Sequence, residues 1–167
     1  MELTKKERLS YIHQLRILEA LYPDDADTYA KQRTALEEGY ALHYGWMFEH
    51  LYDELSTEQC REVLDILDMY RAITFSLQKL PEGDELRNHH HVAFSGFDGN
   101  NETHLMSYAR YYIVDLNRYS ELLPDGYVSF NSHCPMLHTY QAMLGRWNSL
   151  PDRFRLSRDQ LATVLGE

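Results

Sequence analysis

The chain has 167 residues, of which 44% are apolar and 25% are charged, and its 16 Lys and Arg against 26 Asp and Glu give a formal net charge of −10. This composition is typical of a folded globular protein and excludes a disordered chain. The acidic surplus repels phosphate backbones, so we do not expect nucleic acid as a partner.

Targeting signals are missing from the sequence as it stands. Its start, Met1-Glu2-Leu3-Thr4, lacks the apolar segment of a signal peptide. No apolar run approaches the roughly 20 residues that a membrane-spanning helix needs. Two cysteines are too few for a disulfide scaffold in a chain of this length. We therefore expect a cytoplasmic protein with free thiols and no membrane partner.

Helical periodicity runs along almost the whole chain. The first predicted helix begins at a capping box, in which the Thr4 hydroxyl and the Glu7 carboxylate each bind the other residue's amide. Pro23 ends that helix. Asp24 or Asp25 caps the second helix, because a short acidic side chain accepts hydrogen bonds from the first free amides.

The end of the second helix is ambiguous, since it contains both Gly39 and Gly45. Residues 46–55 are either its continuation or a separate short helix. The third predicted helix begins at Ser56 and ends before Pro81. Its apolar stripe repeats every three to four residues and consists of Val63, Ile66, Leu67, Tyr70, Ile73, Leu77 and Leu80.

Residues 81–91 are polar and predict a loop. A long helix follows from Asn100, with an apolar side that contains Leu105, Tyr108, Tyr112, Ile113, Leu116 and Tyr119. A loop around residues 124–126 leads to Pro135, which suits the first position of the next helix. A second capping box at residues 157–160 begins the last helix. Each helix is apolar on one side only, so the helices must bury these sides against each other.

These patterns predict an all-α fold. We expect a single domain over residues 1–167, an orthogonal bundle of about six to eight helices.

Several clusters along the chain together resemble the YfbU family of bacterial proteins. The clusters are Arg8-Leu9, residues 38–40, Cys60-Arg61, residues 65–70, residues 96–98, Arg118-Tyr119, Phe130-Asn131, Pro135-Met136, residues 140–144, Trp147 and Leu156-Ser157. The similarity runs from residue 4 to about residue 165. It implies an all-helical cytosolic protein of uncharacterised function, loosely associated with bacterial stress and cell-death regulation. The resemblance supplies no catalytic residues.

Strong catalytic motifs are absent: the sequence has no phosphate-binding glycine loop, no HExxH, no paired CxxC and no GxSxG. We therefore expect a non-enzymatic protein without a cofactor. The alternative is a small thiol-dependent or metal-dependent enzyme or sensor.

The thiol alternative depends on Cys134. This residue precedes Pro135 and hence a helix N-terminus, where the partial positive charge favours a thiolate. His133 is adjacent and His138 lies one turn further, so the three residues form a candidate Cys-His site. The other reading is a small buried residue that closes a loop.

The metal alternative depends on two sets of histidines. His89, His90 and His91 place three imidazoles on one predicted loop, and imidazole suits Zn or Ni. His43 and His50 are seven residues apart and share one face if their segment is helical. A solvated loop and half-buried structural histidines are the simpler explanations of these sets, since neither has an evident second shell.

One basic patch interrupts the acidic chain. It contains Arg146, Trp147, Arg153, Phe154, Arg155 and Arg158. Such a patch suits an acidic protein segment or a phosphate, while a solvated loop is the simpler explanation. Asp65 and Asp68 share a helix face, and we interpret them as members of surface ion pairs rather than as an acid–base pair.

Thirteen tyrosines are the strongest sign of an interaction surface. Tyr111 and Tyr112 point about 100° apart on a helix, so they cannot both face one core. Tyrosine is enriched at protein interfaces, because its ring is apolar and its hydroxyl is polar. We therefore predict a self-associating interaction or regulatory module. The expected partner is a second copy of the chain or another cytosolic protein.

Overall fold

The computed structural model describes residues 2–123 and 129–167. Six α-helices make up about half of these residues: α1 (Lys5–Leu21), α2 (Ala26–Glu38), α3 (Thr57–Leu77), α4 (Thr103–Arg110), α5 (Leu137–Asn148) and α6 (Arg158–Leu165). The described residues contain no β-strand, and one isolated bridge joins Phe97 to Asn131. The predicted all-α class is confirmed. No described helix has both the length and the apolar character needed to cross a membrane.

The chain divides into two compact units, Met1–Glu54 and Leu55–Glu167. The first unit contains α1 and α2, and its core cluster consists of four buried side chains, Ile12, Leu15, Leu36 and Tyr44. The second unit contains α3 to α6 around a cluster of 24 buried residues in the described part of the chain. The single domain expected over residues 1–167 stays a prediction.

In the first unit, α1 begins and ends as its sequence predicts. The Glu7 amide donates to Thr4 Oγ1 at 3.2 Å, and the Thr4 amide donates to Glu7 Oε2 at 2.8 Å. Pro23 begins a 3₁₀ turn directly after the helix. The ion pairs that join α1 to α2 are Arg33 with Glu19 at 2.6 Å and Arg16 with Glu37 at 3.0 Å.

The segment after α2 differs from both predicted alternatives. Helix α2 ends at Glu38, and Gly39 adopts a left-handed conformation with φ +77°. A 3₁₀ helix follows over Ala41–Phe48, and residues 51–56 have no regular structure. The α-helix does not continue, because the left-handed turn at Gly39 redirects the chain and aromatic residues with a glycine favour an α-helix only weakly.

In the second unit, α3 is the most buried helix. The Gln59 amide donates to Ser56 Oγ at 3.2 Å, and the Ser56 amide donates to Gln59 Oε1 at 3.0 Å, which forms the capping box at its start. The predicted stripe is buried, and its members Val63, Ile66, Leu67, Tyr70 and Ile73 are all 0% exposed. The helix ends at Leu77, ahead of Pro81.

The helix predicted from Asn100 is shorter than expected. Helix α4 ends at Arg110 and continues only as a π-turn over Tyr111–Asp115. Asn117 and Tyr119 both have φ +51°, and this left-handed backbone prevents further helix. The predicted loop around residues 124–126 lies outside the described residues.

The carboxylate of Glu102 joins the start of α4 to the start of α5. It accepts hydrogen bonds from the Met136 amide at 3.0 Å, the Leu137 amide at 2.8 Å and the Asp98 amide at 2.9 Å. Helix α5 therefore begins at Leu137. The prediction that Pro135 is its first residue is wrong. A distant carboxylate caps this helix in place of a local side chain.

A close backbone contact holds the loop that precedes α4. Gly96 has φ +85°, and a Cβ there would lie 2.0 Å from the Phe130 carbonyl oxygen. This approach lets the Phe97 amide donate to the same oxygen at 2.9 Å. The Tyr140 hydroxyl on α5 donates to the Gly96 carbonyl at 2.9 Å. Only glycine fits both the conformation and the space at position 96.

Helix α6 begins at the predicted capping box of Ser157 and Gln160. Arg146 on α5 donates through Nε and Nη2 to the Val164 carbonyl at 3.1 and 3.0 Å. The Leu156 amide donates to the Ser76 hydroxyl on α3 at 3.1 Å, and both of these groups are buried. Side chains of α3 and α5 thus bind backbone groups in and just before α6.

We expect the Glu102→Ala variant to lose about 2 kcal/mol of stability. The amide of Asp98 in the loop before α4 and the two amides at the start of α5 would then lose their charged acceptor. In a chain of this size the thermal midpoint falls by roughly 4–8 °C. Differential scanning calorimetry measures both quantities. Glu82→Ala is the control, because Glu82 is exposed and its loss should change stability by less than about 0.5 kcal/mol. Equal effects of the two variants would contradict the role of Glu102.

Two glycine-to-alanine variants should have opposite effects. Gly96→Ala forces a Cβ onto a backbone oxygen in a left-handed conformation, and we expect it to lower the thermal midpoint or to prevent folding. Gly145→Ala places a Cβ in open space within α5 and should add about 0.5–1 kcal/mol, since alanine favours the helix. Thermal unfolding followed by circular dichroism compares them. A tolerated Gly96→Ala variant would disprove the close contact.

Candidate functional site

The candidate thiol site does not form a hydrogen-bonded Cys-His pair. Cys134 is exposed, and its Sγ lies 3.9 Å from Met136 Sδ. His133 has φ +58°, and its amide donates to Asn131 Oδ1 at 2.9 Å. His138 is exposed in the first turn of α5. Within residues 2–123 and 129–167, no hydrogen bond joins the thiol to either histidine.

The electrostatic basis for a reactive thiol is also altered at this site. The prediction assumed that the positive end of α5 faces Cys134. Glu102 instead occupies that end, where its carboxylate binds the first two amides of the helix. Sequence reasoning missed Glu102, which is distant in sequence from the helix that it caps.

The three loop histidines do lie close together. Their ring centroids are 4.3 Å apart for His89 and His90, 3.9 Å for His90 and His91, and 5.6 Å for His89 and His91. The His91 amide donates to His89 Nδ1 at 3.2 Å, and His89 Nε2 lies 3.9 Å from Glu167 Oε1. Burial, then the charges of His90, His89 and Arg146, lower the pKa of His91.

The second pair of histidines is not brought together. The α-helix that would align His43 with His50 is replaced by the 3₁₀ helix Ala41–Phe48. His43 stacks on Trp46 with ring centroids 4.2 Å apart, and its Nδ1 is buried without a hydrogen-bond partner. His43 and His50 line two separate cavities of the first unit. Across the described residues, no three His, Cys, Asp or Glu side chains are placed to hold a metal ion.

Most cations of the predicted basic patch are bound within the chain. Arg146 binds the Val164 carbonyl of α6, as described above. Arg158 donates to Asp84 Oδ2 at 2.8 Å, and this contact lowers the pKa of Asp84. Arg153 donates to Asn148 Oδ1 at 2.6 Å. Arg155 is exposed and makes no hydrogen bond or ion pair in the described part of the chain.

The two aromatic residues of the patch differ in exposure. Trp147 is 2% exposed, and its indole N–H donates to the Arg153 carbonyl at 2.6 Å. Phe154 packs edge-on against it with centroids 5.6 Å apart and is 52% exposed. Arg153 lies over the Trp147 ring, 4.9 Å from the centroid. These contacts make the patch a folded turn with Phe154 and Arg155 at its surface.

An interaction network that the sequence did not predict links α3 to the segment after α4. The Tyr119 hydroxyl donates to Asp68 Oδ1 at 2.6 Å, and Arg71 lies over the Tyr119 ring at 3.9 Å. Arg71 also forms an ion pair with Glu121. Burial raises the pKa of Tyr119, and the bond to Asp68 raises it further. Asp68 is thus a hydrogen-bond acceptor within the fold.

The tyrosines divide between core and surface. Tyr70 and Tyr140 are 0% exposed, whereas Tyr111 is 48% exposed and Tyr52 is 84% exposed. Tyr112 is partly buried, so the neighbouring pair on the π-turn differs in burial. As the sequence predicts, some tyrosines lie in the core and others reach the surface.

For its size, the first unit exposes more large hydrophobic side chains than the described part of the second unit. Nine large hydrophobic side chains, which we name the first-unit apolar surface, are exposed there: Leu9, Ile17, Leu21, Tyr22, Tyr40, Leu42, Trp46, Leu51 and Tyr52. Two cavities open on the same unit. One of about 240 Å³ is lined partly by Leu15, Met47 and His50, and one of about 300 Å³ partly by His43 and Trp46.

The histidine cluster predicts a pH dependence of stability. The unfolded-state pKa of His91 is about 6.5 and the folded-state pKa is lower, so its contribution is complete above that pH and is lost as the pH falls toward the folded-state value. We expect His91→Gln to flatten the fall of the thermal midpoint between pH 7 and about pH 5. The exposed His138 provides the control His138→Gln, which should keep the wild-type slope. An unchanged slope in His91→Gln would contradict this assignment.

The whole sequence also matches a known protein family. The model of the YfbU domain matches residues 1–166, which include both compact units and every candidate residue described above. The resemblance found in short clusters thus extends over nearly the entire sequence. The chain belongs to the YfbU family.

Proposed function

We propose that this protein is a non-enzymatic interaction or regulatory module that associates with itself. The observation that carries the proposal is the first-unit apolar surface. Nine large hydrophobic side chains are exposed in a unit whose core cluster contains four buried residues. Many large apolar side chains exposed on one small unit suit contact sites, because a partner that covers them removes apolar area from water.

The composition of this surface supports a protein partner. It includes Tyr22, Tyr40, Trp46 and Tyr52, and aromatic side chains are enriched in the cores of protein interfaces. Leu21 is 65% exposed, so its burial by a partner would remove that part of its side chain from water. Association is thus favoured by the hydrophobic effect.

The contacts of the charged candidates support a structural rather than a chemical role. Glu102 caps α5, Arg146 binds α6 and Arg158 is paired with Asp84. Each group has a partner within its own unit and contributes to the fold. The association with bacterial stress and cell-death regulation that the family resemblance implies stays a prediction.

The test is the mass of the protein in solution. Sedimentation velocity at micromolar concentrations should give at least twice the chain mass of 19.8 kDa. The measurement is made under reducing conditions and repeated with Cys134→Ser, because the exposed Cys134 thiols of two copies can form an intermolecular disulfide. A monomer throughout the micromolar range would overturn the proposal.

A further inference from the structure

The outward side of α1 carries a regular row of side chains. Leu9, His13, Ile17 and Leu21 follow one another at intervals of four residues, and we name them the α1 ridge. Residues four apart lie one above the other on a helix. The three aliphatic members are 53%, 58% and 65% exposed in chain order, and His13 is also exposed.

The ridge is separate from the side of α1 that packs on α2. The buried residues Ile12 and Leu15 lie about 150° around the helix from the centre of the ridge, at about 100° per residue. Helix α1 is therefore apolar on two opposite sides, and only one of them is covered within the first unit. An exposed helix face normally carries charge, yet the ridge contains no acidic residue although the chain has 26.

Opposite charges lie at the two ends of the ridge. Lys5 and Lys6 precede it, and Asp24 and Asp25 follow it in the turn after α1. All four side chains are exposed, and none of them forms an ion pair in the described part of the chain. The lysines also lie at a helix N-terminus, where the helix dipole disfavours a positive charge. A partner with acidic groups would relieve this interaction.

We propose that the α1 ridge binds the same ridge of a second copy of the chain, with the two helices antiparallel. The inference rests on the proposed self-association and names the surface that produces it. In this arrangement Leu9 of each copy lies beside Leu21 of the other, and His13 beside Ile17. Lys5 and Lys6 of each copy then face the aspartates that follow α1 in the other copy.

Helix packing rules allow this arrangement. Two helices that cross at a shallow angle of about 20°, with their axes about 8–10 Å apart, stay in contact along their length, so both the apolar row and its charged ends meet the partner. A twofold axis near the middle of α1 makes the contact isologous, so both copies use the same surface and the assembly closes as a dimer.

The order of charges along the ridge favours a second copy over an unrelated partner. The ridge is positive at its start and negative at its end, so only an antiparallel partner with the same order pairs both ends. A uniformly acidic or basic partner would pair one end and repel the other. Two helices of 17 residues cover less than a standard interface of about 1,600 Å², so we expect a dissociation constant on the order of micromolar.

The first experiment compares two substitutions in the full chain by sedimentation velocity. Ile17→Glu places a charge in the middle of the ridge and should raise the dissociation constant at least about tenfold. Leu42→Glu is the matched control, since Leu42 is an exposed apolar residue of the same unit outside the ridge. It should associate as the wild type does. Circular dichroism verifies that both exposed substitutions leave the helix content unchanged.

A charge exchange tests the antiparallel orientation. The Lys5→Glu/Lys6→Glu variant and the Asp24→Lys/Asp25→Lys variant should each dimerise more weakly than the wild type, because like charges meet at both ends. An equal mixture should restore the wild-type dissociation constant, because both ends of the mixed dimer are complementary. A parallel arrangement predicts a different result. Like charges would then meet at both ends of the wild-type dimer as well, so neither variant would dimerise more weakly than the wild type, and the mixture would dimerise more tightly than the wild type.

The outcomes separate this inference from the proposed function. If the wild type associates and Ile17→Glu associates equally well, the ridge is overturned while self-association stands. If Leu42→Glu dissociates as much as Ile17→Glu, or if the mixture of charge variants stays monomeric, the ridge is also overturned. A monomeric wild type overturns the proposed function, and the ridge inference with it.

Discussion

The hydrogen bonds of Glu102 are the contact on which the second unit most depends. One carboxylate accepts from the amide that closes the loop before α4 and from the two amides that begin α5. A negative charge is favoured at a helix N-terminus, so the same side chain fixes a turn and starts a helix. The contact also determines the surroundings of Cys134. The thiol lies next to an occupied helix end, which removes the electrostatic reason for expecting reactivity there.

Local signals allowed the sequence to predict α1, α3 and α6. Each begins at a capping box whose two members are three residues apart, and each carries an apolar stripe. The start of α5 could not be predicted in the same way, because its cap is the distant Glu102. The π-turn after α4 was missed because its residues also suit an α-helix. The 3₁₀ helix after α2 was missed because either of two glycines, Gly39 or Gly45, could end the preceding helix.

The candidate sites show the same division between local and distant contacts. The basic patch is visible in the sequence as several arginines near Trp147, but the partners of these arginines are not. Arg158 pairs with Asp84 from another part of the chain, and Arg146 binds a backbone carbonyl. Composition cannot distinguish arginines that are free to bind a ligand from arginines that already bind other groups of the same chain. The tyrosines were predicted better, because helix geometry alone requires some of them to reach the surface.

The small core of the first unit has a consequence for the lifetime of the chain. The core cluster of this unit has four buried side chains against 24 in the second unit, so the first unit should open to solvent more often. Its amides would then exchange hydrogen earlier, and its helices would be the first to meet a protease. Any protein that covers α1 would slow this opening. Binding at α1 would therefore control how quickly the chain is degraded.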